Sequence, residues 1–163
     1  MARLEVGVVS DTHGLVRPEA TKALAGVDVV LHAGDVGANE VLQELSTLAP
    51  VLAVRGNVDG GWARLLPERR LLALGGASVL LLHDRALAGR DPFEAEGRRR
   101  AAKGDRVIVF GHSHQPLAET RDGILWFNPG SCGPRRFGLP VSIGRLTIDD
   151  GRVRHRLLPL RVP

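Results

Sequence analysis

Short apolar runs recur along the chain, and several of them close on glycine, carboxylate or imidazole residues. Leu4-Glu5-Val6-Gly7-Val8-Val9-Ser10 is nearly continuous and β-branched, the pattern of a strand buried on both faces. It runs into Asp11-Thr12-His13-Gly14. Pro18 stands where a first helical turn opens, and a short helix is predicted over Glu19 to Leu24, stopped by Gly26. Val27 to His32 reads as a second strand, followed by Ala33-Gly34-Asp35. Asn39 is placed to cap a helix whose Val41, Leu42, Leu45 and Leu48 make one apolar stripe. Pro50 separates that helix from a third strand, Val51 to Val54, which leads into Gly56-Asn57-Val58-Asp59. The order strand, helix, strand, helix, strand predicts parallel strands joined by helical crossovers.

The second half changes character. Arg69 to Leu74 and Ala77 to His83, joined by Gly75-Gly76, predict a hairpin whose second arm ends in His83-Asp84. Asp91-Pro92-Phe93-Glu94 has the form of a capping box with Pro at the first helical position, so a helix is expected to about Lys103, ended by Gly104. Val107-Ile108-Val109-Phe110 then reads as a buried strand that delivers Gly111-His112-Ser113-His114. In extended backbone, residues two apart point to one side, so the two imidazoles should stand together. Gly111 lets the chain turn or approach another group where a Cβ would clash. Two further hairpins follow. One joins Leu117–Arg121 to Ile124–Asn128 through Asp122-Gly123; the other joins Val141–Ile148 to Val153–Leu160 through Asp149-Asp150-Gly151. No linker, repeat or low-complexity stretch interrupts residues 1–163. The expectation is therefore one domain of mixed α/β class, two layers of mixed β-sheet with helices outside.

Composition narrows the setting. The chain has 163 residues, long enough for a substantial core. No apolar run approaches the ~20 residues of a membrane span, and the N-terminus lacks the charged, apolar and small-residue succession of a signal peptide. The single cysteine, Cys132, excludes an internal disulfide and fits a reducing cytoplasm, the expected location. No base stands beside Cys132 in the sequence to make it a nucleophile. The net charge is +4, with twenty Arg to two Lys. The guanidinium fork suits phosphate, so a phosphate-bearing partner fits; compositional bias is the alternative. The run Arg98-Arg99-Arg100 reads as an exposed helix face, with a nucleic-acid surface as its rival. Aromatic interleaving does not support the rival, since the chain has four Phe, two Trp and no Tyr.

The strand-end groups are Asp11, His13, Asp35, Asn57, His83, His112 and His114. They offer nitrogen and oxygen donors and no thiolate, a mixture suited to Mn, Ni, Zn, Fe or Mg. Seven donors exceed one tetrahedral ion and match two divalent ions that share a bridging carboxylate. Two ions about 3.5–4 Å apart can hold a hydroxide and clamp the attacking and leaving oxygens of a phosphoryl transfer.

Taken in order, Asp11-x-His13, Gly34-Asp35, Gly56-Asn57-x-Asp59, His83 and Gly111-His112-x-His114 resemble the signature of the calcineurin-like metallophosphoesterase family. The compact length and the Asn128-Pro129-Gly130-Ser131 segment resemble its small prokaryotic phosphodiesterase subgroup. The resemblance implies a four-layer αββα sandwich. It implies one metal on Asp11, His13, Asp35 and His114 and a second on Asp35, Asn57, His83 and His112, with Asp35 as bridge and manganese the foremost ion. It implies hydrolysis of a small phosphate ester, most readily a diester, by attack of a metal-bound hydroxide, with Asp35, Asn57 and His112 as the catalytic set. Two positions depart from the family pattern. Val58 stands where many members carry a histidine that stabilises phosphate or protonates the leaving group, which implies a preference for leaving groups needing no proton. Asp84 stands where glycine is usual, as a helix cap or as an acceptor orienting an imidazole.

Other residues carry expectations of their own. Asp59 is expected to brace the Gly56 loop. His32 is expected to be a satisfied core imidazole, with support of the Asp35 loop as the rival, and His155 to lie on a solvated face. Ser131, Arg135 and Arg136 follow the Asn-Pro-Gly turn, where they could grip phosphate oxygens or face solvent; Asn57, Ser131 and Arg135 are the substrate-binding candidates. Two alternatives to a phosphodiesterase remain at this point. One is a non-catalytic protein-interaction scaffold on the same fold, for which the retromer subunit is a precedent. The other is a nuclease, favoured by the arginine excess.

Overall fold

Each apolar run forms a strand, and period-two alternation sorts its side chains between two buried layers. The computed structural model describes residues 2–94 and 103–163. In chain order the elements are β1 (Leu4–Val9), α1 (Pro18–Ala23), β2 (Val29–His32), α2 (Asn39–Ser46), β3 (Val51–Ala53), β4 (Arg69–Leu74), β5 (Ala77–Leu82), β6 (Arg106–Val109), β7 (Leu117–Arg121), β8 (Ile124–Asn128), β9 (Ser142–Asp149) and β10 (Arg152–Pro159). They make two five-stranded sheets, ordered β10-β9-β1-β2-β3 and β4-β5-β6-β8-β7. In the first, β1, β2 and β3 are parallel and β9 and β10 are antiparallel additions. In the second, β5, β6 and β8 are parallel, flanked by antiparallel β4 and β7. The two mixed sheets meet the expected fold class.

The inner layer joins the facing sides of the sheets. Val6, Val8, Val29 and Leu31 from the first sheet meet Val79, Leu81, Val107, Val109 and Phe127 from the second. The intervening residues face outward and are also covered. Val9, Val30 and Ile143 pack with Ala20 of α1 and with Val41 and Leu45 of α2. Leu80, Leu82 and Ile108 pack with Ala88, Phe93 and Phe110. Both faces of the central strands are therefore dry, which is why they read as continuous apolar runs. Full burial of one such Leu or Val contributes roughly 1.5–3 kcal/mol.

One local reading is corrected. Asn39 does not cap α2: the helix begins at Asn39, the extended residue before it is Ala38, and no side-chain cap bond forms there. The extended backbone extends one residue less than the pattern indicated, so the amide side chain sits one position too late to cap. At Asp91, the carboxylate accepts from the Phe93 N–H at 3.3 Å, a local turn bond two residues on. The rest of the helix expected there, with Arg98-Arg99-Arg100, lies outside the described residues. Among the described residues, helix covers the first sheet only; the outer side of the second is covered by a short 3₁₀ turn, Arg85–Ala88, and by Phe93. No helix among them is long and apolar enough to cross a membrane.

Candidate metal centre

The carboxyl ends of the parallel strands of both sheets converge, and backbone contacts between loops fix how they meet. Asp11 N donates to the Gly34 carbonyl and His13 N to the Asp35 carbonyl, each at 3.0 Å, zipping the β1 loop to the β2 loop. Gly111 N donates to the His83 carbonyl at 2.9 Å, joining the ends of β6 and β5. Across the sandwich, His112 N donates to Asp11 Oδ2 at 3.2 Å. Gly111 is required for that approach: a Cβ there would overlap Ser10 Oγ and crowd Asp11 Oδ2. At Gly56, likewise, a Cβ would overlap the backbone and carboxylate of Asp35.

Within this junction the two carboxylates are held alike. Asp11 Oδ2 accepts from Ser10 Oγ at 2.7 Å as well as from His112 N. Its Oδ1 is buried without a hydrogen-bond partner and faces His114 Nε2 at 3.3 Å and His13 Nε2 at 3.8 Å. Asp35 Oδ1 accepts from Val58 N at 3.1 Å. Its Oδ2 faces His83 Nε2 at 3.3 Å and His13 Nε2 at 3.8 Å. Each carboxylate thus spends one oxygen on the protein and turns the other toward imidazole nitrogens.

The imidazoles crowd one another in the same way. His13 Nε2 lies 3.3 Å from His114 Nε2, and His112 Nδ1 lies 3.3 Å from His83 Nε2. His83 Nδ1 bonds to the Ala33 carbonyl at 2.8 Å, which makes Nδ1 the protonated nitrogen of the neutral ring and leaves the Nε2 lone pair on the cluster. Donors about 2.1 Å from one ion, at octahedral or tetrahedral angles, lie about 3.0–3.4 Å apart. The 3.3 Å spacings fall in that range, the two 3.8 Å spacings from His13 lie just beyond it, and the buried Asp11 Oδ1 suits a cation. Asp11, His13 and His114 form one close group, and Asp11, Asp35 and His83 another, so the two overlap on Asp11. Asn57 is exposed on the rim, lining a cavity with His83 and His112.

Electrostatics favour the neutral ring at His114 and His13. Burial, then His13 and Arg136, lowers His114 to a pKa of about 4. Burial and the charge of Arg136 also lower His13. Burial pushes Asp11 up to about 6, against its Ser10 bond. For Asp35, burial is outweighed by the His83 bond and charge, and its pKa falls. For His83, burial is outweighed by Asp35 and Asp11, and its pKa rises.

The backbone is strained where these residues sit. Asp11, His13, Asp35, His112 and His114 all have positive φ, between 46° and 70°. Side chains other than glycine adopt that region at a cost, and such residues concentrate at functional sites. The surrounding bonds hold them there. Asp59 accepts from Gly56 N at 2.8 Å, Gly37 N at 2.9 Å and Val36 N at 3.2 Å, tying the β3 loop to the β2 loop as its expected bracing role required. Asp84 caps the Arg85–Ala88 turn by accepting from Ala86 N.

His32 is fully buried and bridges two loops. Thr12 Oγ1 donates to the Val36 carbonyl at 2.8 Å, so it must accept from His32 Nε2–H at 2.9 Å, while His32 Nδ1 accepts from Gly34 N at 3.1 Å. Burial lowers its pKa to about 3. It is both the satisfied core group and the support of the Asp35 loop, two readings the pattern had set against each other. Cys132 is buried, and its thiol is pushed up to about 12, far from a nucleophile's range.

Three positions take their roles only from the tertiary structure. The Ser131 hydroxyl does not reach a substrate cleft: it is buried and donates to the Asp11 carbonyl at 2.9 Å, bracing that loop from beneath. Arg135 is exposed without a side-chain contact to the cluster; Arg136, its neighbour, is the cation whose charge bears on His13 and His114. Asn128, noted only as part of a segment, is fully buried and holds the His112 loop, with Nδ2 donating to the Gly111 carbonyl at 3.0 Å and to Ser113 Oγ at 3.1 Å. The signal for Asn128 was present, an amide before Pro-Gly at a strand end; nothing in the chain distinguishes Arg136 from Arg135. A cleft of about 290 Å³ opens beside His112, lined in part by Arg85, Ser113 and Gln115.

Known proteins are similar to this chain. The chain is 33% identical to a probable metallophosphoesterase of Methanothermobacter thermautotrophicus, over 97% of this chain and 94% of that one. It is 27% identical to a phosphodiesterase of Methanocaldococcus jannaschii, over 95% and 99% of the two chains. The crystal structure of Vps29 complexed with zinc from Entamoeba histolytica shares the fold, with a TM-score of 0.67 at 23% identity over 94% and 97% of the chains. Residues 4–151 match the calcineurin-like phosphoesterase superfamily domain, and to that superfamily this chain belongs.

Proposed function

We propose that residues 1–163 act as one catalytic domain, a metal-dependent phosphodiesterase that holds two divalent cations and hydrolyses a small phosphate diester. The observation that carries this reading is the matched pair of carboxylates, each with one oxygen anchored and the other aimed at imidazole nitrogens. On this reading Asp11, His13, Asp35 and His114 hold one cation and Asp35, Asn57, His83 and His112 the other. Asp35 Oδ2 stands within 4 Å of His13 and of His83, one nitrogen from each set, which supports its role as the bridge. The overlap of the two close groups on Asp11 supports a second shared contact in the same place.

Bound cations supply Lewis acidity toward phosphate oxygens and acidify water. The chain does the rest. His83 is fixed by Ala33 with its lone pair inward, and His13 and His114 are kept neutral by burial. Asn57 and His112, both exposed, stand where a phosphate would arrive. Arg136 adds positive charge to the developing transition state. The nitrogen and oxygen donor set, without sulfur, favours manganese, with nickel, zinc, iron or magnesium as substitutes. A cytoplasmic location fits the lone buried thiol.

The test is hydrolysis of bis(p-nitrophenyl) phosphate by the manganese-loaded protein, with elemental analysis of bound metal. Asp11→Ala and His112→Ala should each abolish turnover, and Asp11→Ala should reduce bound metal, with circular dichroism unchanged. Full activity in both variants would overturn the assignment. The Vps29 likeness gives a scaffold reading a structural precedent. A protein that holds metal yet hydrolyses no ester would favour the scaffold, and turnover confined to DNA or RNA would favour a nuclease.

A further inference from the structure

Among the described residues, eight non-glycine positions have positive φ. Five are the site residues described above. Two, Asp122 and Asp150, sit in hairpin turns where that conformation is ordinary. The eighth is Phe137, with φ 58°, followed by Gly138 with φ 66°. Leu139 N donates to the Arg136 carbonyl at 3.0 Å, closing a four-residue turn around the pair. Two successive positive φ values suit Asn-Gly; a bulky aromatic at the first of them is a strained choice.

The ring does not repay that strain by packing, since Phe137 is 79% exposed. It stands at the metal centre, its centroid 5.5 Å from that of His114 at an interplanar angle of 65°. The residue before it, Arg136, is exposed in the same turn and carries a positive charge. One side of the site thus presents a flat apolar face beside a cation. Across the β3 loop, Val58 is 54% exposed and cannot donate a proton. A site with no donor there suits an ester whose leaving group departs as a stabilised anion.

We infer that Phe137 and Arg136 form a subsite for an aromatic group carried on the ester oxygen of the substrate, with Phe137 stacking on the ring and Arg136 pairing with the phosphate. The assignment rests on the phosphodiesterase reading and specifies the substrate class within it. Phe137 is then a specificity residue: it contacts the departing group and leaves the bond-breaking chemistry to the floor of the site.

The experiment measures equilibrium binding of phenylphosphonate and of methylphosphonate to the manganese-loaded protein by calorimetry, beside bis(p-nitrophenyl) phosphate turnover. The wild type should bind the phenyl compound roughly tenfold more tightly, the scale of one aromatic contact plus its burial. Phe137→Asn suits the turn, so its melting temperature should stay level or rise while the preference falls to near unity; Phe137→Trp should keep it. Equal binding of both compounds by the wild type, or an undiminished preference in Phe137→Asn, overturns the subsite. So does a fall in melting temperature with equal weakening of both compounds, which would assign the ring to packing His114. If the protein hydrolyses no diester and binds neither phosphonate, the phosphodiesterase reading itself fails.

Discussion

The floor of the site and its rim are built on opposite terms. On the floor, Asp11, Asp35, His83 and His114 are buried, and backbone or side-chain bonds from neighbouring loops fix the first three. On the rim, Val58, Arg136 and Phe137 are exposed, and few bonds fix their side chains. The floor has strained backbone over-determined by neighbours; the rim has side chains free to meet something from solvent. The difference assigns two tasks. A rigid floor sets charge geometry in advance, which is where electrostatic catalysis gains most. An adaptable rim selects among substrates without disturbing that geometry.

The largest effect that tests this division is on the leaving group. Because Val58 offers no proton, aryl diesters should turn over roughly 10²–10⁴-fold faster than alkyl diesters, the range of missing general-acid help. Val58→His should narrow that gap by speeding the alkyl ester, with metal content unchanged. Equal turnover of both esters by the wild type would show that the rim does not discriminate.

Next is Asn128→Ala, a change beneath the floor that touches no donor atom. It frees the Gly111 carbonyl and the His112 loop, so metal affinity should fall roughly 10–100-fold, the range seen when support of a ligand is removed. Competition with a chelator measures this. Unaltered affinity would mean that the floor does not depend on its bracing. Asp59→Ala, which loses three backbone bonds, should lower stability by about 2 kcal/mol, a fall of roughly 4–8 °C in melting temperature.

A further test concerns pH. Burial holds His32 as a neutral ring with a pKa of about 3, below its ordinary value of 6.5. Its contribution to stability is therefore complete above pH 6.5 and is lost as pH falls toward 3. Asp11 runs the other way: with a folded pKa of about 6 against 3.8, it stabilises the metal-free protein most at low pH and loses that contribution as pH rises through 6. His32→Gln should flatten the acid side of the metal-free melting curve between pH 6.5 and 3. An unchanged slope would show that His32 does not titrate with unfolding.

Much of the floor was legible from the chain because its donors sit at the ends of apolar runs. Strand ends are fixed by a local pattern, and parallel order follows from alternation with helices. Asp11, His13, Asp35, His83, His112 and His114 were named on that basis, and the structure brings them together. The rim was less legible. Ser131 and Arg135 were expected to grip phosphate or to face solvent; Ser131 instead turns inward to Asp11 and Arg135 is exposed, since the direction of a loop side chain depends on contacts with segments far along the chain.

The sequence by itself determined the strands, their parallel order and the donor types, all of which rest on periodicity and residue chemistry within a few positions. Only the tertiary structure decided which carboxylate oxygen faces the cluster, which nitrogen of His32 carries the proton, and that Phe137 stands over His114. Those outcomes depend on partners such as Asp11 with His112, separated by 101 residues, and no local pattern encodes an angle between segments that distant.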